Sequence, residues 1–163
     1  MAQIANFEDG ARKALEDILA KSSSPVLVSV YGPIDAGKSF LISYLARELR
    51  QQEKTVFDYG SAPDSSTFVR IRDDPSSFKA DFYLFHCAWF KLPKAFFEAV
   101  SGHEDPGVLA KKILDRDVDY EIFIYNPDNF ADRMGNSRII RPGLYDLVIA
   151  NANSSEKQNF ANT

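Results

Sequence analysis

The sequence predicts a three-layer α/β/α sandwich around a mostly parallel five-stranded sheet, and three observations carry that prediction. Runs with the period of a strand alternate with runs with the period of a helix, and parallel neighbours need crossover connections that pack back on the sheet. Within residues 26–52 an apolar run, a loop bounded by two glycines and an amphipathic stretch follow in that order. Apolar residues make up 45% of the 163-residue chain, which at this length supplies one core without disulfides or metals.

Each element has its own signal. Residues 7–20 place Ala11, Leu15, Ile18 and Leu19 on one helical face and charged residues on the others, an amphipathic helix. Ser22-Ser23-Ser24-Pro25 breaks it. Val26, Leu27, Val28, Val30 and Tyr31 then form a β-rich run with few polar positions, which is how a strand buried on both faces reads. From Lys38 the period is helical again, with Leu41, Tyr44, Leu45 and Leu49 inward.

Residues 54–59 read as a second strand, 68–78 as a charged, loop-rich connection and 82–88 as a third strand. A helix is expected to start near Leu92-Pro93, because proline suits a first helical turn. Residues 101–107 read as a loop, 108–114 as a short helix and 120–125 as a fourth strand. A helix over 130–134, a turn at Arg141-Pro142-Gly143 and a fifth strand over 147–150 complete a single domain spanning 1–152. The polar stretch 153–163 is expected to be a flexible tail.

Composition excludes several function classes. A net charge of −4, from 19 basic and 23 acidic side chains, supplies no field for a polyanion, so nucleic acid is not an expected partner. One cysteine, Cys87, and two histidines, His86 and His103, are too few for a multi-thiolate or histidine-based metal site. The first residues lack the basic start and apolar run of a secretory signal, and no apolar run reaches the roughly 20 residues that span a bilayer, so a cytoplasmic location without membrane contact is expected.

The chemistry concentrates in Gly32-Pro33-Ile34-Asp35-Ala36-Gly37-Lys38-Ser39. In such a loop consecutive backbone N–H groups converge on phosphate oxygens, assisted by the positive end of the helix that begins there. Lys38 is expected to reach the β- and γ-phosphates, the Ser39 hydroxyl to coordinate Mg²⁺, and Phe40 to belong to the nucleotide-binding residues. The match stands between a buried-type strand and an amphipathic helix, the context that separates a working loop from a chance pattern.

On these residues the sequence resembles the P-loop NTPase superfamily, and within it the branch that includes uridine kinase and other small-molecule kinases. The resemblance implies ATP or another nucleoside triphosphate with Mg²⁺, and transfer of the γ-phosphoryl group to a hydroxyl-bearing acceptor such as a nucleoside or nucleotide. It implies a base at Asp58, which also serves the metal, and a lid-type arginine at Arg133 with Arg138 neutralising phosphoryl charge. Arg70 and Arg72 would meet an anionic substrate, and Asn151 the adenine edge.

Each assignment has a plainer alternative. Asp58 beside Gly60 suits turn chemistry, Asn151 follows a strand as turn residues do, and surface arginines are commonly solvated. His86 and Cys87 read as packed strand residues, and Trp89 with Phe90 as the wall of a substrate pocket. The third strand contains no carboxylate to hold Mg²⁺, and Asp81 lies at its wrong end, which favours a second function: a nucleotide-binding regulatory module without efficient turnover. A signalling GTPase is disfavoured, because Asn126-Pro127-Asp128-Asn129 is not the guanine-specifying Asn-Lys-x-Asp. Oligomeric state is left open.

Overall fold

A computed structural model describes residues 4–33, 36–59, 65–74, 80–87, 106–127 and 145–152. Among the described residues six strands form one sheet: β1 (Ile4–Ala5), β2 (Val26–Tyr31), β3 (Val56–Tyr59), β4 (Phe82–His86), β5 (Tyr120–Tyr125) and β6 (Leu147–Ala150). Their order is β1-β6-β5-β2-β4-β3, and every neighbouring pair is parallel. Among the described residues the helices are α1 (Phe7–Leu19), α2 (Lys38–Gln51), α3 (Ser65–Asp73) and α4 (Pro106–Leu109), the last continuing into a π-helical turn, Ala110–Leu114.

Strand alternation sorts the core into two layers. Val26, Val28 and Val30 of β2, with Phe82 and Leu84 of β4, face the layer that also buries Ala11, Ala14 and Ile18 of α1 and Leu41, Leu45 and Leu49 of α2. Leu27 and Tyr31, with Tyr83 and Phe85, face the opposite layer, where Phe68 and Ile71 of α3 and Leu109 of α4 pack. That second layer is aromatic. Phe123 and Tyr145 stack with ring centroids 5.1 Å apart, and Phe68 meets Phe85 at 5.3 Å, contacts worth about 0.5–1.5 kcal/mol each beyond their buried area.

The structure corrects the sequence reading in two places. The sheet has a sixth strand, β1, which pairs with β6 through only Ile4 and Ala5. Two residues carry no period, so such a strand is made visible by its partner rather than by its own pattern. The stretch 68–78 read as connection overlaps α3, which starts earlier, at Ser65, and is held by Phe68 and Ile71 one turn apart while Arg70, Arg72 and Asp73 stay exposed. The helices expected near residue 92 and over 130–134, the turn at 141–143 and the tail lie outside the described residues.

At the amino edge of the sheet an aspartate precedes each of three strands and staples it to its neighbour. The Asp81 carboxylate accepts from the Thr55 N–H (2.9 Å) and hydroxyl (3.0 Å). Asp119 accepts from the Leu27 N–H (2.7 Å), and Asp146 from the Glu121 N–H (2.7 Å). The backbone N–H of each donates in return, Asp81 to Thr55, Asp119 to Leu27 and Asp146 to Glu121. These bonds set where each parallel ladder begins, and the register at the carboxyl edge follows from them.

Helix α1 starts at an Asn6 cap whose side chain accepts from the Asp9 N–H (2.8 Å), and it is tied to β5 by the Tyr120 hydroxyl donating to Asp17 at 2.5 Å. Burial, and then that bond, hold the Tyr120 hydroxyl far above the usual phenolic range. Burial also raises Tyr44, Tyr83 and Tyr125. A folded pKa above the unfolded value near 10 means that these tyrosines stabilise the fold fully below about pH 10 and progressively less above it. Urea unfolding between pH 8 and 11 should therefore show stability falling above pH 10. The Tyr120→Phe variant should start about 1 kcal/mol lower and fall less steeply; a limb of unchanged steepness would remove Tyr120 from the cause.

Candidate functional site

Strand β2 runs between β5 and β4, and the chain leaves its carboxyl end through Gly32 and Pro33 into Ala36, Gly37 and α2. In open parallel sheets this end of the strands is where ligands bind. Gly32 sits against β5: a Cβ there would lie 2.1 Å from the Ile124 carbonyl oxygen. Gly37 caps α2 at φ 103°, a left-handed conformation that side chains other than glycine's resist. The two glycines are thus required by two different constraints, close approach at one and backbone handedness at the other.

Lys38 opens α2 and is buried, with 6% of its surface exposed. Its ammonium donates to the carbonyls of Gly32 and Pro33, the latter at 2.8 Å, which folds the side chain back across the loop it follows. The first turn of α2 carries no acidic residue, so nothing there offsets the positive end of the helix dipole. Ser39 and Phe40 are exposed on that turn. Ile34 and Asp35 lie outside the described residues.

The closing strand braces the same loop. Asn151, just past β6 and 4% exposed, donates from Nδ2 to the Ala36 carbonyl (3.0 Å) and from its backbone N–H to the Tyr125 carbonyl (2.7 Å). Its Oδ1 is buried with no hydrogen-bond partner. The residue expected at the adenine edge therefore touches the glycine-bounded loop, a connection that spans 115 positions of sequence and that no local pattern announces.

Asp58 is not brought to the loop. It pairs across β3 and β4 with Leu84, which pairs with Val28, four residues before Gly32. That register sets it about 13 Å back along the strands and about 10 Å across them. Its carboxylate, 46% exposed, lies 3.8 Å from Arg50 and lines an open groove with Ser43, Arg47 and Gln51 beside the second half of α2. Arg72 forks onto the neighbouring Asp73 (2.6 and 3.0 Å), and Arg70 is exposed on α3. Arg133, Arg138, Trp89 and Phe90 lie outside the described residues.

The donor set for a divalent cation is correspondingly thin. The Ser39 hydroxyl suits a Mg²⁺ ion that keeps its waters and its phosphate ligands. No carboxylate ends β4 or β5, the strands beside β2, and among the described residues no group of three or more His, Cys, Asp or Glu could hold a metal ion. Asp81, the nearest acid in the sequence of β4, is committed to Thr55 at the opposite edge. Among the described residues, no helix is long and apolar enough to cross a membrane.

No protein-family model matches the chain, and no curated protein matches it in sequence. Among solved structures it is similar to the signal recognition particle receptor FtsY from Elizabethkingia anophelis, with a TM-score of 0.54 and 11% sequence identity. The match covers 88% of this chain and 57% of the FtsY chain, so this chain spans little more than half the length of that structure. Likeness at that identity is likeness of fold. The chain therefore has the fold of the P-loop NTPases, a parallel sheet with helices on both faces and a glycine-bounded loop at the carboxyl end of β2.

Proposed function

We propose that the chain binds a nucleoside triphosphate, ATP or a related nucleotide, by its phosphate chain at residues 32–39, and that it acts as a nucleotide-binding module without efficient turnover. The observation that carries the reading is the loop: two glycines in positions that only glycine fills, a buried lysine folded over it, and behind it a helix whose first turn carries no acidic residue. An anion placed there takes hydrogen bonds from the loop amides, and Lys38 exchanges its carbonyl partners for phosphate oxygens. Asn151 acts as a positioning residue, holding Ala36 in place.

Transfer of the γ-phosphoryl group to a small hydroxyl-bearing acceptor is the second reading. The Asn-Pro pair that follows β5, with Pro127 already helical, favours it, as does the resemblance to small-molecule kinases. It asks Asp58 to act as base and metal ligand, and the Arg50 ion pair and register count against both. Measuring ADP release from ATP with Mg²⁺, alone and with a panel of nucleosides, nucleotides and small alcohols, separates the two. Binding without release is expected; acceptor-stimulated release that disappears in Lys38→Ala would establish a kinase instead.

A further inference from the structure

The carboxyl end of β4 lies directly beside that of β2, so its last residues are the phosphate loop's neighbours on that side. His86 pairs with Val30, two residues before Gly32, and the Cys87 N–H donates to the Val30 carbonyl at 2.9 Å, which fixes how far β4 runs along β2. Phe82 and Leu84 pack in the layer of α1 and α2, and Tyr83 and Phe85 in the aromatic layer. Alternation then assigns His86 to the α2 side, the side on which the loop turns into the helix and Ser39 stands.

The resemblance to the P-loop NTPases implies an acid at this strand end, sharing a Mg²⁺ ion with the Ser39 hydroxyl, and β4 ends in His86 instead. An imidazole is a poor substitute, because Mg²⁺ takes oxygen ligands in a strict octahedron and sheds its waters reluctantly. A carboxylate beside a triphosphate needs a cation between them, whereas an imidazole can donate a hydrogen bond to the phosphates directly.

Resting on the nucleotide-binding reading, we propose that His86 contacts the phosphate chain itself and that the site takes its nucleotide without requiring a divalent cation. The register supplies the placement and the side-chain chemistry supplies the specificity. His86 was legible as a packed strand residue; its place beside the loop depends on β4 lying next to β2, which the sequence does not show.

Calorimetric titration of ATP in EDTA and in excess Mg²⁺, on the wild-type chain and on His86→Ala, His86→Gln and His86→Asp, tests this. The wild-type affinity should differ by less than about threefold between the two conditions, and His86→Ala should weaken binding about tenfold in EDTA while His86→Gln, which keeps an N–H donor, retains most of it. His86→Asp should bind about tenfold or more weakly in EDTA and recover with Mg²⁺, which supplies the cation that the new carboxylate needs. Wild-type binding that is tenfold or more weaker in EDTA would overturn the proposal and leave the nucleotide reading standing, as would His86→Ala binding in EDTA like wild type. Absence of binding in both conditions would overturn the nucleotide reading and this inference together. Thermal unfolding without nucleotide checks that each variant folds, and if His86→Asp does not, the alanine and glutamine arms decide the outcome alone.

Discussion

Lys38→Ala should lower the affinity for ATP by about a hundredfold or more, roughly 2.7 kcal/mol, in calorimetric titration. Lys38 is 6% exposed, so a phosphate beside its ammonium gains a charge-assisted hydrogen bond in a partly desolvated place, where such bonds contribute about 1.5–3 kcal/mol each. The methylene stem also packs at the start of α2, and its loss leaves the Gly32 and Pro33 carbonyls without that donor. Lys38→Met keeps the stem and removes the charge. If the affinity falls equally in both variants while the thermal midpoint of Lys38→Met stays near wild type, the charge is responsible; unchanged affinity in either would remove Lys38 from the site.

The second large effect is structural. Gly32→Ala puts a methyl group 2.1 Å from the Ile124 carbonyl oxygen, well inside contact distance, and the atom in the way is backbone in the middle of the sheet rather than the end of a flexible side chain. Relief requires β2 and β5 to part or the loop to swing outward. The expected cost is about 3 kcal/mol, the upper part of the range for overpacked sites, which for a chain of this size lowers the thermal midpoint by about 6–12 °C. Nucleotide affinity should fall with it, because the loop cannot keep its shape. A variant that melts like wild type and binds ATP equally well would show that the loop does not rest on Ile124 in solution.

What the sequence revealed and what it hid divide along one line. Strands β2, β5 and β6 were legible residue for residue, because strands covered on both faces appear as continuous apolar runs between breakers. Helix α1 was legible to within a residue at its end, and the inward face of α2 was read correctly at Leu41, Tyr44, Leu45 and Leu49. The glycine-bounded loop between β2 and α2 was legible because its pattern is local: two glycines, a lysine and a serine at fixed spacing, with a strand before and a helix after.

The hidden features depend on which strands are neighbours. Asp58 stands near the end of β3 in the sequence, yet β3 is the outer strand and its register leaves that carboxylate beside Arg50. Asn151 follows β6 as a turn residue would, and only the fold carries it across to Ala36. Asp81, Asp119 and Asp146 share one role that appears once the ladders are aligned, since each staples the start of its own strand to the next. Helix α3 and strand β1 were missed for a different reason, brevity: two buried residues in one and a two-residue ladder in the other are below what a period can register.

The central claim is that residues 32–39 receive the phosphates of a nucleotide. Its most direct test is a titration of ATP into isotopically labelled protein, followed by the backbone amide resonances. The account predicts saturable shifts largest at Gly32, Ala36, Gly37, Lys38 and Ser39, with smaller ones at Asn151, and their loss in Lys38→Ala. Saturable shifts centred elsewhere on the chain, or no shifts at millimolar ATP, would contradict it.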